Sequence, residues 1–183
     1  KQNYDAAIAD YSLGLALTPA DAELFYNRGL SYFDKNDLEP ALTNYNQAIR
    51  LRPAYMKAFL NRGNVFFRRK ESAQAIADYS RAFELDPKSG EALDNRGLAY
   101  LQKPPQYELA LADFTRLTEL SPDYAKGWRD RGVTYFLMQN YEKSLADLDI
   151  AIRLEPGHAH TYVLRGGVRE STKEIEGALA DYR

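Results

Sequence analysis

The chain has no cysteine, and only two histidines, two methionines and one tryptophan. Without thiols, neither a disulfide framework nor a thiolate zinc site is available, and the redox compartment stays open. His158 and His160 read as turn residues on the surface, with no acidic cluster at ligand spacing, so no metal centre or other cofactor site is expected. An excess of one charge is also missing: 24 Lys and Arg face 26 Asp and Glu, a net charge of −2. No basic field gathers phosphates, which disfavours nucleic acid as the partner. No apolar run approaches the roughly 18–20 residues that a membrane span needs, so no membrane insertion is expected. There is no glycine-rich phosphate loop, and catalysis finds no foothold. The opening stretch "KQNYDAAIADY" already reads as helix, which points to a trimmed piece of a longer chain. The compartment is not legible, and the composition leans to a soluble, cytoplasmic protein. What is present is ordinary for a globular protein, 45% apolar and 27% charged over 183 residues, enough to bury a core.

Prolines at 19, 53, 87, 122 and 156 recur with steps of 34, 34, 35 and 34 residues, and glycines at 29, 63, 97, 132 and 166 keep the same step. A fixed period of this size marks a repeat array and overrides any domain count from length. Each period reads as two helices. The first, such as 22–35, carries apolar and small residues at three-to-four spacing. The second, such as 38–51, stops two residues before a proline that cannot continue it. The extra residue falls near "QKPPQYE", where Pro104 and Pro105 stiffen the loop between two helices. A trailing helix (residues 1–21), full units at 22–55, 56–89, 90–124 and 125–158, and an incomplete fifth at 159–183 make one array.

These residues resemble the tetratricopeptide repeat (TPR), a 34-residue helix–turn–helix. Its bulky fourth position is met by Phe25, Phe59, Leu93, Trp128 and Tyr162, and its small eighth by the five glycines. The aromatic eleventh is Tyr32, Phe66, Tyr100 and Tyr135. The small twentieth is Ala41, Ala75, Ala110, Ser144 and Ala178. The aromatic twenty-fourth is Tyr45, Tyr79 and Phe114, with Leu148 a departure. The resemblance implies an all-α, right-handed α-solenoid of ten to eleven stacked antiparallel helices without strands. Glycine is expected to meet alanine where paired helices cross, since only small side chains let helices approach closely. The 14 tyrosines and eight phenylalanines are then core.

An arginine precedes each of the five glycines: Arg28, Arg62, Arg96, Arg131 and Arg165. The second helices carry Asp10, Asp78, Asp113, Asp147 and Asp181 at a fixed place, with Asn44 breaking the series. A charge one step from a packed face needs a partner. Partly buried Arg–Asp pairs between helices are therefore expected, fixing register rather than binding anything.

At about 100° per residue, Asn95 points roughly 200° from Gly97, towards the open side of its helix. The open stripes hold Tyr26, Asn27 and Leu30; Lys57, Leu60, Asn61 and Asn64; Glu91, Asp94, Asn95 and Leu98; and Lys126, Arg129, Asp130 and Val133. In the family the first helices line a concave groove that takes extended peptides. The resemblance makes Tyr26, Asn27, Lys57, Asn61, Asn64, Asp94, Asn95, Lys126, Arg129 and Asp130 the candidate peptide-binding residues. Amides in successive units suit a peptide backbone because each offers a donor and an acceptor. Capture of a chaperone's C-terminal carboxylate is a further use of the family. Asn64, Asn95 and Lys126 match that clamp, but Leu60 and Asp130 stand where it needs cations, so such capture is disfavoured.

The expected function is a non-catalytic protein-interaction scaffold for peptide segments of partners. The alternative is the targeting region of a larger enzyme or membrane-associated protein, and RNA binding by a helical-repeat surface is disfavoured by the acidic balance. Ile8, Tyr11 and Leu15 give the front end an apolar face, while Arg169 and Glu170 make the last unit more polar. Association with a second copy through an open end, or coverage by a longer native chain, is expected.

Overall fold

A computed structural model describes residues 3–102 and 104–183. These residues form eleven α-helices and no strand. They run α1 (Tyr4–Leu17), α2 (Ala22–Asp34), α3 (Leu38–Leu51), α4 (Met56–Arg68), α5 (Ser72–Leu85), α6 (Gly90–Tyr100), α7 (Tyr107–Leu120), α8 (Ala125–Leu137), α9 (Tyr141–Leu154), α10 (Ala159–Ser171) and α11 (Ile175–Tyr182). Helix starts and stops fall within a residue of those expected. Lys103, in the "QKPPQYE" loop, lies outside the described residues. The chain divides into two compact units, Lys1–Ala92 and Leu93–Arg183.

The helix ends follow from local chemistry. Each second helix is followed by a cap residue (Thr18, Arg52, Asp86, Ser121 or Glu155) with φ between −139° and −129°. The proline after each of these residues holds it out of the helical region. The first helices α2, α4, α8 and α10 end differently, on a left-handed residue: Asn36, Lys70, Gln139 and Lys173, with φ of 61–68°. In each case the next amide reaches back five residues, as Asp37 N–H to the Tyr32 carbonyl at 2.8 Å and Asn140 N–H to Tyr135 at 2.8 Å. This is the Schellman closure that satisfies the last carbonyls of a helix. After α6 the inserted residue and two prolines break the pattern, and Gln106 N–H bonds the Tyr100 carbonyl six residues back instead.

Within the first unit, consecutive helices pack on one another. One core cluster joins Phe33, Ala41, Leu42, Tyr45 and Val65, and a second joins Ala22, Ala48, Tyr55 and Ala58. Each draws on helices from successive repeats, so neither would persist in an isolated helix pair. In the second unit α7 packs on α8, α8 on α9, α9 on α10 and α10 on α11. Phe114, Leu117, Leu148, Ala151 and Val168 are fully buried there.

At Gly29, Gly63, Gly97 and Gly166 the nearest atoms belong to rings rather than to the alanines. A Cβ on Gly63 would lie 2.6 Å from the Tyr79 ring, one on Gly97 2.7 Å from Phe114, and one on Gly29 2.9 Å from Tyr45. At Gly166 the ring is Tyr182. The ring of the twenty-fourth residue lies against the bare backbone, and the alanine four residues earlier stands one turn away on the same stripe. At Gly132, opposite Leu148, the small twentieth residue is among the nearest, through the Ser144 carbonyl at 3.3 Å.

The front end also differs from expectation. Leu15 is buried, and Ile8 and Tyr11 are partly covered. The apolar residues that α1 shows to solvent are Leu13 and Leu17, 67% and 85% exposed. These lie four residues apart on the face turned from α2.

Candidate functional site

The arginine–aspartate pairs form as expected and belong to the scaffold. Arg62 places Nε and Nη2 at 2.7 Å from the two Asp78 oxygens. Arg96 does the same to Asp113 at 2.8 and 2.6 Å, and Arg131 to Asp147 at 2.7 and 2.8 Å. Arg165 holds Asp181 at 3.0 and 2.5 Å. Asn44 keeps the pattern by accepting Arg28 Nε at 2.8 Å. Asp10 is exposed. The third guanidinium nitrogen reaches backwards: Arg28 Nη1 to Ser12, Arg62 Nη1 to Asn46, Arg131 Nη1 to Thr118 and Arg165 Nη1 to Asp149. Each of these arginines therefore ties three helices. Burial pushes the Asp78 carboxyl above the usual carboxylate range, although Arg62 acts to lower it.

In the first unit the candidate residues form a hydrogen-bonded string. Tyr26 packs at a tilt between Tyr45 and Tyr55, with ring centres 6.0 and 5.1 Å away. Its hydroxyl accepts Asn61 Nδ2 at 3.0 Å. Asn61 Nδ2 also donates to the Lys57 carbonyl at 3.1 Å, and Asn64 Nδ2 approaches Asn61 Oδ1 at 3.4 Å. The Tyr79 hydroxyl donates to Asn64 Oδ1 at 2.8 Å. The amides expected to greet a ligand are thus already engaged, with the tyrosines acting as their first partners. Tyr79 was hidden because its ring also fills the Gly63 contact. Lys57 is exposed, and Asn27 is partly buried. Burial is the main cause that raises the Tyr26 phenol above its ordinary value.

Leu60, expected on the open stripe, is 4% exposed. It stands three residues before Gly63, only about 60° from the packed face. The same position in the next repeat is Asp94, and it too is buried.

In the second unit Lys126 bridges two carboxylates, Asp94 Oδ2 at 2.5 Å and Asp130 Oδ2 at 2.8 Å. Lys126 and Asp130 are therefore not independent surface charges. The other Asp94 oxygen is buried and meets no donor among the described residues. Burial pushes the Asp94 carboxyl above the usual range, and the Asp130 charge adds to this while Lys126 opposes it. Burial works to lower Lys126, yet Asp130 and Asp94 together hold it above its ordinary value. Arg129 reaches Glu155 at 3.5 Å and His158 Nδ1 at 3.4 Å. His158 also contacts the Thr161 hydroxyl at 3.0 Å and caps α10, and His160 lies inside that helix. His158 closes the turn before α10 as expected, its amide bonding the Glu155 carbonyl at 3.2 Å, but it is held rather than solvated; His160 is exposed as expected but lies in the helix. Asn95, on α6, is partly buried.

Among the described residues, no group of three or more His, Asp or Glu could hold a metal ion, and no helix is long and apolar enough to cross a membrane.

Helix pairs joined by a glycine–ring contact and an arginine tie, repeated every 34 residues, define a helical-repeat protein. A TPR repeat profile matches residues 1–36, 29–70 and 63–103, over half of the chain, and the chain belongs to the tetratricopeptide repeat family. No curated protein matches it significantly. Solved structures share the fold at low identity. A tetratricopeptide repeat protein from Parabacteroides merdae is 22% identical over 98% of this chain and 71% of its own, with a TM-score of 0.85. MamA from Desulfovibrio magneticus is 19% identical over 88% of this chain and 90% of its own, with a TM-score of 0.81. YrrB, a TPR protein with an unusual peptide-binding site, is 21% identical over 93% of this chain and 88% of its own, with a TM-score of 0.77.

Proposed function

We propose that the chain is a non-catalytic scaffold whose first helices hold extended segments of partner proteins, its modules being the four full and one partial repeats set out above. Tyr26, Asn27, Lys57, Asn61 and Asn64 serve in the first unit, and Asp94, Asn95, Lys126, Arg129 and Asp130 in the second. The observation that carries this reading is the Tyr26–Asn61–Asn64–Tyr79 string. Its amides are held in fixed orientations, and among the described residues the Asn61 oxygen takes a single long bond, from Asn64 at 3.4 Å. A backbone N–H competes well for that oxygen, and a pre-ordered amide loses little freedom on binding. YrrB, with the same fold, has a peptide-binding site.

The test uses nonapeptides selected by phage display on the intact chain and titrated by fluorescence anisotropy into Asn61→Ala/Asn95→Ala protein. Each amide contributes a net of about 0.5–1.5 kcal/mol, so affinity falls roughly 5- to 150-fold while the fold, followed by circular dichroism, is kept. Unchanged affinity moves the site off these helices.

A second reading, self-association, is favoured by exposed apolar residues on α1 (Leu13, Leu17) and α11 (Ile175, Leu179). Sedimentation velocity at high concentration checks it: Leu13→Ser/Leu17→Ser protein loses the larger species, and a wild-type chain that stays monomeric removes the idea.

A further inference from the structure

We infer that the second unit selects a segment carrying a lysine or arginine two residues from an aliphatic side chain, the cation seated at Asp94 and Asp130 and the aliphatic group in an apolar void beside Val133. This deepens the scaffold reading and rests on it.

The acidic half starts from the fifth position of the first helix. Tyr26 and Leu60 fill that position in the first unit, and Asp94 occupies it here with a side chain only 9% exposed. One of its oxygens has no donor among the described residues, a state that is costly unless something outside the chain provides one. Lys126 serves two carboxylates at once, so the trio keeps a net negative charge. A hollow of 440 Å3 beside it is lined by Asp123, Tyr124, Lys126, Arg129 and Glu155, among others. Across the trio and the hollow, four acids face two bases. Tyr124 is 42% exposed and offers a ring on which the stem of a lysine or the plane of a guanidinium lies.

The apolar half comes from two departures in the repeat. Leu148 stands where Tyr45, Tyr79 and Phe114 stand elsewhere. Gly167 stands where Leu30, Asn64, Leu98 and Val133 do, and a Cβ there would meet nothing within 4 Å. Together they leave a void of 120 Å3 lined by Val133, Phe136, Leu148, Val163 and Gly167, among others. An apolar space of this kind stays dry and takes an apolar group. Val163, 50% exposed, brings it to the surface.

The two halves share a face. Asp130 and Val133 are one turn apart on α8, and on α10 Gly167 holds the place of Val133, with Val163 one turn before it. One turn spans about 5 Å and the void lies towards α10, which suits side chains two residues apart on an extended segment, about 7 Å.

The probe is a synthetic Ser/Gly nonapeptide carrying Lys and Leu two residues apart, with controls that place Glu for Lys or Ser for Leu. Each is titrated to millimolar concentration into the 15N-labelled intact chain. The Lys/Leu peptide shifts the amides of Asp94, Asp130, Val133, Val163 and Gly167, and each control binds at least about tenfold more weakly. Asp94→Asn removes the preference for Lys over Glu alone, and Gly167→Leu removes that for Leu over Ser alone, with melting curves confirming both folds. Equal affinity of peptide and controls, preference for the Glu peptide, or concentration-dependent broadening at these residues without peptide overturns the inference. Shifts centred on Asn61 and Asn64 without charge preference overturn it while leaving the scaffold reading intact. No shift on any first helix overturns both.

Discussion

Replacing Arg62 with leucine strands the Asp78 carboxylate between α4 and α5. The carboxylate is 6% exposed and the arginine 21%, so the variant loses two bonds of 2.7 Å from a site that water barely enters. In the intact protein burial already holds Asp78 above the usual carboxylate range against the pull of Arg62, and the variant removes that pull. A folded-state value above the unfolded one means that the folded protein binds the extra proton. Stability therefore falls as pH rises from the unfolded value, near 4, through the folded one. The variant is expected to lose about 3–5 kcal/mol at pH 7 and clearly less near pH 4, where the carboxyl is neutral. Arg62→Leu/Asp78→Leu protein should lie within about 1 kcal/mol of wild type at neutral pH, because no unpaired charge is left inside. Urea unfolding followed by circular dichroism at both pH values reads all three proteins. An equal loss at the two pH values, or a double variant less stable than the single one, refutes the reasoning.

Gly63→Ala drives a methyl into the Tyr79 ring and should cost about 1–3 kcal/mol. Gly167→Ala, with open space around its Cβ, should gain up to about 1 kcal/mol from helix propensity. Opposite shifts in thermal melts check the pair. Leu148→Phe restores the ring that Tyr45, Tyr79, Phe114 and Tyr182 supply elsewhere and fills part of the 120 Å3 void. At ~24 cal/mol per Å3 the void costs at most about 3 kcal/mol, and calorimetry should show part of it recovered as a higher Tm.

Much of the fold was written in the period. A proline or a left-handed residue at a fixed place sets each helix end through local sterics, which one sequence reveals. The arginine pairs were also legible, since their 16- or 17-residue offset recurs and a charge next to a packed face needs a partner. The glycine contacts were not. Angular arithmetic on one helix says which way a residue points, but not which residue of the neighbouring helix stands opposite. That choice put alanine where a ring belongs. The same limit hid the site's internal bonds. Asn61 and Asn64 were legible as open-side amides, but their links to Tyr26 and Tyr79 run between helices 15–35 residues apart in the chain. Leu60 and Asp94 are more buried than the other stripe residues for a simpler reason: three residues before a packed glycine is only about 60° from the packed side. An acid at a position held by Tyr26 and Leu60 was the readable sign that Asp94 differs.

The backward reach of the arginines changes what counts as a part of this protein. Arg28, Arg62, Arg131 and Arg165 each sit on a first helix and hold the second helix of their own repeat and the one before. The 34-residue period cuts through the turn preceding that first helix and severs one arm of every tie. The smallest excisable piece that keeps both arms of one arginine tie is a three-helix block, second–first–second, and two adjacent blocks must share a helix. A recombination event or a truncation that respects the sequence period would thus leave a half-used guanidinium at the cut. One that trades whole three-helix blocks would carry its electrostatic lock with it.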